Sequence, residues 1–219
     1  MFITPAIFPH SFHHLHELLF KTEGVTKRVQ IDLCDGVIGL ERTWLPYKET
    51  HLPDGFEYEF DLMIKDWVKF LKRALSLGAK RVILHIDAWE GHDFLMLQEI
   101  MSHHKHVSVG FSISNDSPID NFIERVLIER RNFNNVFVQV MGIRHIGAQG
   151  QAFDDRVLFV IEKIKRRMPD ISVQVDGAMN NSTIFLVKRS GADTAVVGSA
   201  IYGESNIRKA YEEILESSS

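Results

Sequence analysis

The sequence predicts a (β/α)8 TIM barrel, on three observations. Eight short runs rich in β-branched and aromatic residues recur along the chain, and segments of helical period separate most of them. Strands and helices alternate rather than cluster, which is the order of a parallel α/β fold, and eight repeats in 219 residues suit a closed barrel. The stretch 171–202, ISVQVDGAMNNSTIFLVKRSGADTAVVGSAIY, shows the repeating unit most plainly. In it a β-branched strand over 171–175 breaks at Asp176-Gly177. A helix over 182–188 follows, capped by Asn181 or Ser182 and closed by Gly191. A second strand over 194–197 ends in Gly198-Ser199.

The remaining elements follow in order. An apolar strand over 2–8 contains Pro5, and Ser11 caps a helix running to Glu23, stopped by Gly24. Strands are expected over 28–33 and 57–64. Between them, 37–55 holds two prolines and no helical period. From Asp66 the alternation is regular: helix 66–77, strand 81–86, helix 91–104, strand 107–113, helix 118–131, strand 136–143 and helix 154–168. A last helix spans 206–216, and 217–219 reads as a frayed tail. LGAKRVILH and SGADTAVVG place Gly-Ala at the same helix-to-strand position, an echo of the repeat. With no linker and no low-complexity segment, one domain over 1–219 is expected.

Composition bounds the function. A 45% hydrophobic content supports a sizeable core, and a net charge of −4 with mixed signs argues against nucleic-acid or membrane-surface partners. Cys34 is the one cysteine, so no intrachain disulfide can form, which fits a reducing compartment and an expected cytoplasmic location. The start MFITPAIFPH has no basic segment or long apolar run of a secretory signal, and no stretch approaches membrane-span length.

In such a barrel the reacting residues stand at the carboxyl ends of the strands. The polar residues there are Asp32, Asp35, Asp61, His85, Asp87 and Asp176. Strand alternation puts Gln30, Asp32 and Cys34 on one face, Glu59, Asp61 and Met63 on another, and Gln174 with Asp176 on a third. These faces turn to the barrel mouth. Several carboxylates converging there are costly to bury unless paired or metal-bound, which favours function for Asp32 and Asp176. Asp35 and Asp87 read as helix caps, His85 as a satisfied interior histidine, and Met63, Met141 and Cys34 as inner-wall packing. The segment 147–153, GAQGQAF, brings Gly147 and Gly150 to a closing or phosphate-gripping loop. Gly177, Gly198 and Ser199 stand where barrels of this kind bind phosphate.

At these positions the chain resembles the ribulose-phosphate 3-epimerase family over almost its whole length. ITPAIF resembles the family's first strand with its Pro-Ser-Ile, VQIDLCDG its His-Val-Asp-Val-Met-Asp-Gly, FDLMI its Asp-Val-His-Leu-Met, and LHIDA its His-x-Glu-Ala. GFSISNDSP keeps the spacing of Gly-Leu-Ala-Leu-Asn-Pro-x-Thr-Pro. GAQGQAF resembles the mobile Gly-Phe-Gly-Gly-Gln-x-Phe loop, and VDGAM and VVGSAIY resemble Val-Asp-Gly-Gly-Ile and Val-Ala-Gly-Ser-Ala-Ile-Phe. The resemblance implies a TIM barrel of the ribulose-phosphate-binding type and an isomerase that moves a C3 proton of a ketose phosphate. Asp32 and Asp176 would be acid and base. Gly147, Gly150, Gly177, Ala178, Gly198 and Ser199 would bind the substrate's phosphate. The family's oligomers imply a homo-oligomer.

The departures fall on the metal site. Gln30 and Asp61 stand where the family has metal-binding histidines, and Ala6 replaces its substrate-contacting serine. The implied ligand set is therefore Gln30, Asp32, Asp61 and Asp176, all oxygen donors. That set suits magnesium or manganese rather than zinc. A metal-free site, with one aspartate protonated or met by a lysine or arginine, is equally open. A non-catalytic sugar-phosphate-binding barrel and a lyase or decarboxylase on the same barrel are the alternative functions. Met63, where the related decarboxylases carry lysine, counts against the last.

Overall fold

A computed structural model describes residues 1–87 and 89–218. Strands β1 (Phe2–Ile7), β2 (Arg28–Cys34), β3 (Glu57–Met63), β4 (Arg81–His85), β5 (Ser108–Ile113), β6 (Val136–Met141), β7 (Ser172–Asp176) and β8 (Thr194–Val197) pair in parallel in that order, and β8 returns to β1 to close the barrel. Helices α1 (Phe12–Thr22), α2 (Trp67–Ser76), α3 (Gly91–Met101), α4 (Ile119–Glu129), α5 (Arg156–Arg167), α6 (Asn181–Arg189), α7 (Ser199–Tyr202) and α8 (Ile207–Ser217) surround it. No helix joins β2 to β3, as the irregular composition there predicts. Among the described residues no helix is long and apolar enough to cross a membrane.

The strands sort their side chains by parity. Outward-facing Ile31, Leu33, Phe60, Leu62, Val138, Val140, Val173 and Val175 are buried against the helices. Each such burial contributes about 1.5–3 kcal/mol. The inward positions carry Gln30, Asp32, Glu59, Asp61, His85, Gln139 and Gln174, all buried. An apolar sleeve thus encloses a polar axis, where a barrel interior ordinarily fills with branched aliphatic side chains. Gly110 is needed for this packing. A Cβ there would lie 2.4 Å from the Phe137 ring, whose face supports the Arg81 guanidinium at 3.7 Å.

Four local expectations need correction. The cap of α6 is Asn180, whose extended backbone lets its side chain accept from the amides of Ser182 and Thr183. Asp35 caps no helix. It accepts from the amides of Val37 (2.8 Å) and Lys65 (2.8 Å), tying the loops after β2 and β3 together. Asp87 likewise binds the hydroxyls of Ser114 and Ser117 across two loops, while Glu90 caps α3. The tail is not frayed through Ser218, which is 1% exposed and whose carbonyl accepts from the amino group of Met1 at 3.4 Å. Ser219 lies outside the described residues. Ser11 caps α1 as its position suggests, accepting from the His14 amide.

Candidate active site

Asp32, Asp61 and Asp176 converge at the carboxyl ends of β2, β3 and β7. Each offers one oxygen, and these oxygens lie within 4.8 Å of one another. Side-chain amides bridge or brace them. Gln30 Nε2 donates to Asp32 Oδ1 at 2.9 Å and to Asp176 Oδ2 at 2.8 Å. Gln139 Nε2 donates to Asp61 Oδ2 at 2.8 Å, and His85 Nε2 meets Asp61 Oδ1 at 2.8 Å. Below them Gln174 Nε2 reaches Glu59 Oε1 (2.8 Å), Gln139 Oε1 (3.0 Å) and Gln30 Oε1 (3.3 Å). Arg81 closes the network, donating to Glu59 and, at 2.9 Å, to Gln174 Oε1.

Charge in this enclosure shifts protonation. Burial raises the Asp32 carboxyl well above the usual aspartate range, and the charges of Asp176 and Asp61 add to it. Burial also pushes Asp176 up to about 7, with Asp61 the next cause, against the hydrogen bond from Gln30, which lowers it. Burial acts to lower the His85 imidazole, but the Asp61 carboxylate, through its charge and its hydrogen bond, together with Asp87 and Asp176, makes the net shift upward. Two carboxylates this close are costly to ionise together, which adds to what burial does to Asp32.

The pair opens on a cavity of about 110 Å³. Asp32, Asp176, Gly147, Gly150, Gly177, Ala178, Gly198 and Ser199 all line it, with Met63 and Met141 in its wall. Gln30 and Asp61 lie deeper, both fully buried. Gln30, expected among the metal ligands, turns its nitrogen to the carboxylates, and an amide binds a cation through oxygen; here it bridges acids instead. His85 is partnered through Nε2, and its Nδ1 has no hydrogen bond among the described residues.

The loop after β6 covers one side of the mouth. Ile146 and Gly147 accept through their carbonyls from the amides of Leu40 (3.1 Å) and Glu41 (2.9 Å) in the loop after β2. Gly147 has φ +68, and a Cβ there would sit 2.6 Å from both Cys34 Sγ and Gly39 Cα. Gln151 braces the same loop, donating to the Ala148 carbonyl at 3.0 Å and accepting from the His145 amide at 3.1 Å. On the facing rim Ala178, at φ +55, is the one non-glycine residue with positive φ among the described residues.

Sequence reasoning missed the lower half of the network. Glu59, Arg81, Gln139 and Gln174 were visible as polar residues at inward parity on apolar strands. Only closure of the barrel shows that they meet.

A model of the ribulose-phosphate 3 epimerase family matches residues 2–202. The ribulose-phosphate 3-epimerase of Bacillus subtilis is 28% identical over 224 residues, covering 97% of each chain. That of Helicobacter pylori is 27% identical over 220 residues, covering 95% of this chain and 94% of its own. Among solved structures, a 3-hexulose-6-phosphate synthase superposes with a TM-score of 0.69 at 20% identity over the whole of both chains. KGPDC from Streptococcus mutans in complex with D-R5P gives 0.67 at 11% identity, covering 98% and 95%. At such identities these structural likenesses speak to the fold alone.

Proposed function

Because the chain belongs to the ribulose-phosphate 3 epimerase family, we propose that it is a sugar-phosphate epimerase acting at C3 of a ketose phosphate such as D-ribulose 5-phosphate, with residues 1–219 forming one domain. The observation that carries this reading is the shared donor: Gln30 joins Asp32 to Asp176 at the floor of one cavity, whose rim holds every glycine and serine of the phosphate-binding expectation.

The chemistry follows from that pair. One aspartate, ionised, takes the C3 proton, and the electron pair passes to the C2 carbonyl as a planar enediolate. The other, protonated, returns a proton to the opposite face of C3. A raised carboxyl value near neutrality suits both roles at once. Strands β8 and β1 lie between β7 and β2, so the two acids approach a substrate plane from different directions. Backbone N–H groups at Gly177, Ala178, Gly198 and Ser199 would hold the phosphate, and the loop carrying Gly147 and Gly150 would exclude water.

The three carboxylates also fit a hard divalent cation, magnesium or manganese before zinc, held by Asp32, Asp61 and Asp176 without Gln30. Such an ion would supply charge stabilisation to the enediolate oxygens.

The test is solvent deuterium incorporation at C3 of D-ribulose 5-phosphate, with Asp176→Asn as control. Incorporation lost in the variant supports the reading. Tight binding of the sugar phosphate without any incorporation would make the protein a sugar-phosphate binder instead.

A further inference from the structure

A carboxamide has two ends of nearly the same shape and opposite polarity. Which end Gln30 shows the acids is decided by what its other end meets. That other end, Oε1, faces Gln174 Nε2 at 3.3 Å, the longest of three contacts to acceptors that share its two N–H groups. Gln139 is in the same position: its Oε1 accepts from Gln174 Nε2, so its own Nε2 is left for Asp61. The orientation of Gln174 is in turn fixed by groups that cannot reverse. Arg81 has only donors and sends one to Gln174 Oε1; Glu59 accepts from Gln174 Nε2. The Gln30, Glu59, Gln139 and Gln174 side chains are fully buried, so no water competes for these bonds.

We infer that Gln174 is a positioning residue: clamped by the Arg81–Glu59 ion pair, it sets the amide direction of Gln30 and Gln139 and so presents N–H, not C=O, to Asp32, Asp176 and Asp61. Polarity runs from a fixed ion pair at the base of the barrel, through one amide, to two amides, to three acids. Reversing Gln174 would turn carbonyl oxygens onto carboxylates. The consequence for catalysis rests on the reading of Asp32 and Asp176 as acid and base; the orientation itself does not.

Two variants test it. Gln174→Glu keeps the shape but offers only oxygen to Gln30 and Gln139. Gln174→Met keeps the volume and removes both polar ends. The first measurement is the side-chain amide NMR signals of Gln30 and Gln139 and their exchange with solvent in 15N-labelled protein. Both should be protected at least tenfold in the parent and should shift and lose that protection in whichever variant gives a folded spectrum. The second is steady-state kinetics on D-ribulose 5-phosphate, where kcat should fall tenfold or more with KM within about twofold, since no substrate contact is removed. Unmoved Gln30 signals in a folded variant would overturn the inference, as would a kcat equal to that of the parent in both. If the parent protein shows no epimerisation while the Gln30 signals move, the orienting role stands and the proposed function falls.

Discussion

Asp32 and Asp61 are register partners on neighbouring strands, yet only Asp32 reaches the cavity. Asp61 is sealed beneath, with His85 on one oxygen and Gln139 on the other. Asp32 has one shared amide donor and an open side. Two identical residues at one level of the barrel thus divide into a carboxyl sealed by its partners and one that faces the cavity.

The raised carboxyls of Asp32 and Asp176 give a sign to the pH dependence of stability. Asp32 and Asp176 have raised values in the folded protein, Asp176 from 3.8 to about 7. Between those limits the folded state holds protons that the unfolded chain has released, so stability falls as pH rises, by up to about 1.4 kcal/mol per pH unit for each proton held. His85, raised above 6.5, acts in the same sense at the upper end of the window. Urea midpoints should therefore be higher at pH 5 than at pH 8, and Asp176→Asn should flatten the slope. A midpoint that rises over this range would contradict the shifts.

Removing either acid should cost the reaction, not the fold. Asp32→Asn and Asp176→Asn should each lower kcat by about 10²–10⁴-fold, the usual worth of a positioned acid or base. Both should leave the far-ultraviolet spectrum unchanged. Retention of kcat in either one would remove it from the mechanism.

The base of the polar axis carries stability. Arg81→Met leaves Glu59 buried without its cation, and breaking such a pair costs about 3–5 kcal/mol. Adding Glu59→Met should recover most of that loss, because a well-packed apolar pair of similar volume is tolerated where half an ion pair is not. Chemical denaturation of the two proteins decides it; a double variant no better than the single one would count against the pair.

The lid contact predicts a different phenotype. Gly147→Val places a side chain where Cys34 Sγ and Gly39 already sit and asks a β-branched residue to hold φ +68. The two loops should part, raising KM for the sugar phosphate about tenfold, while the melting temperature moves little because the barrel is untouched. Limited proteolysis should newly cut between residues 144 and 152. An unaltered KM would show that closure does not bear on binding.

At the opposite rim, Ala178 holds a left-handed backbone that costs an L-residue roughly 1–2 kcal/mol. Ala178→Gly relieves this at some entropic expense in the unfolded chain, so a net gain of about 0.5–1 kcal/mol is expected. Calorimetric unfolding measures it, and a loss of stability would mean that the methyl group contributes packing worth more than the strain.

The barrel was legible because its outward strand faces are plainly β-branched and its breaks fall at Gly, Asp and Pro. The mouth was legible for the same reason: Asp32 and Asp176 end apolar runs. What could not be read was partnership. Asp35 and Asp87 look like helix caps in one dimension, since an aspartate after a strand and before a helix has that habit; in space each instead bridges to a neighbouring loop. Gln30 looks like a metal ligand by position alone. Its orientation depends on Gln174, which no local pattern connects to it.

Gln30 and Gln174 are separated by 144 residues of chain. During synthesis the first four strands emerge with Gln30, Asp32, Glu59 and Asp61, and with Arg81 and His85 beside them, but without Gln139 of β6 and Gln174 of β7. Four strands therefore carry Asp32, Glu59 and Asp61 but not Asp176, which comes with β7. A chain cut short anywhere before β7 lacks one member of the acid pair and also the Gln174 amide that meets Gln30 across the barrel.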